Sequence, residues 1–269
     1  MVMKKLLLIG ALLLALSTQG QSYPAQFQEA LDKGNTRAQR AILADWQLAS
    51  PKDVDLYVAR WNYYVNGYME EGQTGDLSIR DRAMVDSGFA VIDEAISLYP
   101  DRLDLRFGKI YFLGQIQQWD DFVEEICRTL DYSVQIGHSW NFNGVRGEGK
   151  TIMTEGMQDY QWDMYGQIEM VGDSLSAAGR EMAQRIGRVA KATLEAFPSD
   201  VEAMNMMGVY NMLVRDYERA VKFLLRAEKI APTHPAVLCN LAECYARLGK
   251  KKEAAEMLKR IERLEVECR

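Results

Sequence analysis

Histidine is almost absent from this chain: of 269 residues only His138 and His234 carry an imidazole. Any catalytic or metal site built on histidine must use one of them. Cysteine is scarce too, with four residues whose spacings are not those of a zinc site. The formal net charge is −6 and no basic run carries interleaved aromatics, which argues against nucleic acid as the partner. No apolar run approaches the ~18 residues of a transmembrane helix. The longest, Leu6–Leu16, has 11. Proline is rare, and the six present (Pro24, Pro51, Pro100, Pro198, Pro232 and Pro235) fall between segments of helical periodicity.

What is present begins with an export signal. Met1–Lys5 is a short basic segment, Leu6–Leu16 an apolar one, and Thr18 and Gly20 are small residues suited to a cleavage site after Gly20. Cleavage after Ser17, with Ala15 at −3, is the second possibility, and a retained membrane anchor a third. Loss of Lys4 and Lys5 leaves 30 basic and 38 acidic residues, a net −8. No cysteine follows the apolar segment until Cys127, so this reading has no N-terminal lipid-modified cysteine. The expected product is exported, periplasmic or secreted, with no membrane attachment after cleavage near Gly20. In an exported chain cysteines pair. Cys239 and Cys244, five apart on one expected helix, point to different sides; Cys268 is placed to approach Cys239 from the following helix. The alternative is idle thiols.

Two C-terminal stretches repeat one pattern 34 residues apart. The first runs Met204-x2-Met207-Gly208-x2-Asn211, then Ala220, Leu224, Ala227 and Pro232. The second runs Leu238-x2-Leu241-Ala242-x2-Tyr245, then Ala254, Leu258 and Ile261. A 34-residue unit of two short helices resembles the tetratricopeptide repeat family, clearest over 201–266. Gly208, Ala242, Ala220, Ala254 and Ala227 hold the small-residue crossings of that family, and Arg215-Asp216-Tyr217-Glu218 resembles its inter-helix turn. Met204, Asn211 and Ile261 depart from the pattern. The resemblance implies an all-α, tetratricopeptide-like right-handed solenoid of helical hairpins, with a concave face lined by the first helix of each repeat.

Upstream, periodicity predicts helices over 24–33, 35–48, 53–69, 80–99, 101–117, 119–131 and 174–197. The spacing of Val85, Phe89, Ile92, Ile96 and Tyr99 marks one such face. Gly-rich 71–75 joins two of these helices, and Phe107-Gly108-x2-Tyr111 echoes the repeat motif. The domain scheme is a signal at 1–20, degenerate hairpins at 21–131, an insertion at 132–173 and the repeats at 174–269. The insertion is rich in glycine and aromatics, with helix expected only over 157–170. Three glycines between 144 and 149 disfavour helix there, at roughly 1 kcal/mol each relative to alanine.

Candidate chemistry is thin. Gly144–Thr151 matches the phosphate-binding loop pattern ending in Lys150 and Thr151, but 138–143 does not read as the buried strand such a loop requires. An enzyme would have to use His138 or Lys150. No cofactor or metal is expected.

The resemblance implies a partner-binding groove at Arg102, Lys109, Phe112, Asn205, Val209, Met212, Glu243 and Arg247, suited to a peptide or protein. The alternative is a glycan or small ligand stacked on Trp140, Tyr160 and Trp162. The expected function is therefore an exported protein-interaction module without covalent chemistry.

Overall fold

The computed structural model describes residues 21–69 and 79–264. The segment read from sequence as an export signal, the Gly-rich stretch 71–75 and Cys268 lie outside the described residues. Among the described residues twelve helices and four short strands follow in the order α1 (Tyr23–Asp32), α2 (Thr36–Ala49), α3 (Val54–Met69), α4 (Ile79–Leu98), α5 (Leu103–Gln115), α6 (Trp119–Gln135), β1 (Ser139–Phe142), β2 (Val145–Glu148), α7 (Lys150–Tyr165), β3 (Met170–Val171), β4 (Ser174–Leu175), α8 (Ala177–Ala196), α9 (Val201–Leu213), α10 (Tyr217–Ile230), α11 (Pro235–Arg247) and α12 (Lys251–Arg263). The expected helices all exist. Pro24 and Pro235 sit in the first turn of α1 and α11, where the missing N–H has no intrahelical role. Among the described residues no helix is long and apolar enough to cross a membrane.

The chain forms two compact units. One holds residues up to Gln118 with Ser139–Gly147, the other Trp119–His138 with Glu148 onward. The stretch read from sequence as an insertion is thus shared between the units.

In the first unit, α3 and α4 pack face to face. Trp61 of α3 lies edge-on to Phe112 of α5, 5.4 Å between centroids, and Phe89 of α4 closes the triangle at 5.9 and 5.8 Å. Val85 and Ile92 are buried and Phe89, Ile96 and Tyr99 pack against the same cluster, so the expected face of α4 is its core face. A smaller cluster around Trp46, Leu56 and Phe27 fastens α1 and α2.

In the second unit, α9–α10 and α11–α12 are successive antiparallel pairs. Asp200, Asp216 and His234 cap α9, α10 and α11. The small residues do what the repeat pattern requires. A Cβ on Gly208 would stand 2.6 Å from Leu224 Cδ2 and 2.7 Å from its Cγ, and Ala220 and Ala227 are fully buried. Gly208→Ala and Ala220→Leu should therefore each overpack the α9–α10 crossing and cost about 1–3 kcal/mol, read by chemical denaturation. Wild-type stability in both would refute this packing.

Two places differ from the sequence reading. Residues 139–142 form a strand after all, paired with β2 in a hairpin. The two-residue turn Asn143-Gly144 takes φ 50 and 82, the double left-handed turn that matches strand twist, and Asn-Gly is its strongest sequence signal. Helix α7 starts at Lys150, seven residues ahead of the expected 157, because the glycine cluster ends at Gly149 and the lone Gly156 is accommodated within the helix. A second hairpin pairs Met170 with Leu175 and Val171 with Ser174.

Candidate protein-binding surface

The sequence-derived groove residues separate into core and surface. Phe112 is wedged between Trp61 and Phe89, Asn205 is fully buried, and Val209 is buried as well. These three are packing residues, a correction to the groove reading. Asn205 Oδ1 accepts from Asn240 Nδ2 at 2.9 Å, tying α9 to α11, while its own Nδ2 is buried with no partner. Arg102 is buried too. Its guanidinium grips Asp104 through Nε at 2.8 Å and Nη2 at 2.7 Å. Burial alone would lower the Arg102 pKa, but the Asp104 carboxylate outweighs it and holds the charge firmly on. Lys109, largely covered, binds Asp93 of α4 at 2.7 Å. Met212 is half-buried against the repeat core. Only Glu243 and Arg247 stand in solvent, joined by an ion pair of 2.7 Å one turn apart on α11.

The aromatic alternative divides in the same way. Trp140 is 1% exposed, with the Arg106 guanidinium 5.7 Å from its ring, and Tyr160 is buried edge-on to Phe122. Both are structural anchors. Trp162 is 43% exposed but meets Tyr165 at 80°, so the two rings offer no common stacking plane.

The two enzyme candidates are placed in ordinary roles. His138 Nδ1 lies 2.9 Å from Ser133 Oγ and its ring packs on Phe197. Lys150 opens α7, and Val145–Glu148 of the phosphate-loop pattern is an extended strand rather than a loop closing on an anion. Cys244 is a buried thiol whose pKa burial pushes up to about 12, and burial likewise raises Cys127, so neither is a poised nucleophile. Cys239 is disulfide-bonded. Among the described residues no cluster of three or more metal-ligating side chains occurs.

What reasoning from sequence missed is a surface at the C-terminal ends of α9 and α11. Arg215 follows α9 in the left-handed region, φ 62, and Gly249 occupies the equivalent place 34 residues later, φ 73. A non-glycine residue there carries a cost on the order of 1–2 kcal/mol. Arg215 offsets it by reaching the β3–β4 hairpin, where its guanidinium donates to the Asp173 carbonyl and meets Ser174 Oγ at 3.3 Å. The hairpin is thereby pinned beside the repeats and presents Met170 and Val171, 53% and 71% exposed, with Val214 at 44%. The Glu243 hydrogen bond and carboxylate charge raise the Arg247 pKa, with the Asp173 carboxylate a smaller contributor. Exposed apolar side chains on a hairpin held beside charged repeat residues suit a protein interface, which has an apolar centre and a polar rim. The one sequence signal for it was the break of the repeat pattern at 215, an arginine where 249 has glycine.

Residues 212–267 match the family model described as tetratricopeptide repeat. The C-terminal segment is a tetratricopeptide-repeat array. No curated protein matches the chain by sequence. Solved structures similar in fold include PilW, described as a widely conserved type IV pilus biogenesis factor, at 14% identity and a TM-score of 0.41, covering 87% of this chain and 88% of that one. YrrB, described as a TPR protein with an unusual peptide-binding site, is 12% identical with a TM-score of 0.43, covering 81% and 90%. A tetratricopeptide repeat protein from Parabacteroides merdae ATCC 43184 is 12% identical with a TM-score of 0.41, covering 90% and 79%.

One contact between repeats depends on histidine protonation. His234 Nε2 lies 2.7 Å from Glu202 of the preceding repeat, and this hydrogen bond, then the carboxylate charge, raises the His234 pKa against the opposing effect of burial. The cap that Nδ1 makes to the Val237 N–H is long, 3.5 Å, so protonation sacrifices little. A histidine raised on folding stabilises below its unfolded value of ~6.5, and the stabilisation fades as pH rises through the raised value. Thermal unfolding should thus show the wild-type protein losing stability, relative to His234→Gln, as pH rises from below the unfolded value of ~6.5 through the raised value. An equal pH response in both would contradict the pairing.

Proposed function

We propose that this protein is an exported interaction scaffold, without catalytic chemistry, which holds a protein or peptide on its tetratricopeptide-repeat segment. The observation that carries the reading is the exposed apolar set Met170, Val171 and Val214, with the β3–β4 hairpin held to the repeats by Arg215 and its Asp173 acting on the charge of Arg247. Tetratricopeptide arrays serve as interaction surfaces, and exposed apolar side chains beside charged repeat residues suit a folded partner or an extended segment. The chain's acidity supports a partner other than nucleic acid. Its N-terminal sequence supports export with cleavage near Gly20, and N-terminal sequencing of native protein should begin at Gln21.

The test of binding is affinity capture from the native exported fraction by wild type and by a Val171→Asp, Arg247→Glu double variant. Both positions are exposed, so the melting temperature should hold while the captured partner is lost. Equal capture by the two would refute the surface. Retention by both, with loss in Trp162→Ala, would instead favour the aromatic ligand reading.

A further inference from the structure

The first unit holds a crevice that the scaffold reading does not use. It has a volume of about 620 Å³ and lies among α2, α3 and α4, within the size range of small-molecule sites. Its polar walls are Arg40 and Gln47 from α2, Arg60, Tyr63 and Tyr64 from α3, and Glu94 from α4. Buried Leu43 belongs to its apolar floor.

The crevice carries more positive than negative charge. Some arginines of the chain, among them Arg102, Arg185, Arg188, Arg247 and Arg260, are neutralised by carboxylates. Arg60 donates one N–H to the neutral Gln47 Oε1 at 3.2 Å. Among the described residues neither Arg60 nor Arg40 has an ion pair. A guanidinium has five N–H donors in a planar fork that fits a carboxylate, so Arg60 has donors to spare. The single acid, Glu94, accepts the Tyr57 hydroxyl at 3.0 Å and leaves the crevice one positive charge in excess. Tyr63 and Tyr64 meet edge to face, 5.3 Å apart at 73°. Tyr63 packs on the α1–α2 cluster and Tyr64 on the α3–α4 cluster, which holds both rings at the crevice wall.

We propose that this crevice is a ligand site for an organic carboxylate carrying an aromatic or apolar group. The carboxylate meets Arg60 and Arg40, the Gln47 amide adds a donor, and the apolar group lies against the tyrosines and Leu43. The same chemistry could come from a free acid or from acidic and aromatic side chains of a peptide. The site does not rest on the α9–α11 surface and stands or falls separately.

Calorimetry on the full chain tests it with three probes: 3-phenylpropanoate, its neutral amide, and the end-blocked dipeptide acetyl-Asp-Phe-amide. Hydrogen bonds to a charged group are worth about tenfold or more in affinity, so the acid should bind at least about tenfold tighter than the amide. Arg60→Gln and Arg40→Gln should each weaken the acid by a similar factor while leaving the amide and the melting temperature unchanged. A dipeptide tighter than the free acid identifies a peptide source, and the reverse order a free acid; both support the shared chemistry. Equal binding of acid and amide, no binding of any probe, or full binding in both arginine variants would overturn the proposal. The acid–amide comparison uses wild-type protein, so it holds even if a variant misfolds.

Discussion

Replacing Trp140 with alanine is expected to cost about 3–5 kcal/mol of stability, the range for emptying a buried indole from a core. The ring is 1% exposed in β1, and this hairpin has few other means of attachment to α5. Arg106 lies over the indole, and the Asn141 N–H donates to the Asp101 carbonyl at 2.9 Å. Arg146 adds an ion pair to Asp101 at the surface. With the indole gone, what remains is a two-stranded ribbon held by polar contacts, which is marginal in water. Denaturant unfolding of Trp140→Ala measures the loss. A change within about 0.5 kcal/mol, the range of surface substitutions, would show the ring to be a surface group and free it for ligand stacking.

Asp104→Ala should be of similar size. Asp104 is fully buried, grips Arg102 with both oxygens, and accepts the Asn143 N–H at 3.4 Å from the tip of the same hairpin. Removing one partner of a buried pair strands a charge, at about 3–5 kcal/mol. The Asp55 and Asp101 charges also act on Arg102, so the lower end of that range is expected. Replacing both partners, Arg102→Met with Asp104→Leu, should be much less harmful than Asp104→Ala alone, because no unpaired charge remains. If the double variant were the less stable, the pair would be contributing more than mutual neutralisation.

The sequence spoke clearly wherever periodicity was long. Apart from the first turns of α7, each helix was readable from the sequence, and Gly208, Ala220 and Ala227 marked a helix crossing because only small side chains fit there. It was nearly silent on the hairpins. Four-residue strands carry too little alternation to register, and the Asn143-Gly144 turn was the one legible sign. The site was less legible than the fold for a physical reason. Helix α9 packs against α8, α10 and α11, so little of its surface is left outside. Asn205 and Val209 fall on those packed sides, and polarity at Asn205 marked an inter-helix hydrogen bond instead of a groove. Arg102 and Lys109 likewise looked like free cations, because sequence spacing does not show that Asp104 and Asp93 neutralise them. The exposed patch depends on a hairpin brought beside α9 by Arg215, a tertiary contact with no local signature.

Site-specific photo-cross-linking in the native host tests the central claim most directly. A photoreactive residue is placed in turn at Val171, Arg247, Arg226 and Trp162, all exposed positions. The account predicts one and the same protein adduct from positions 171 and 247, and none from 226 or 162. Adducts from 226 or 162 with none from 171 and 247 would contradict it.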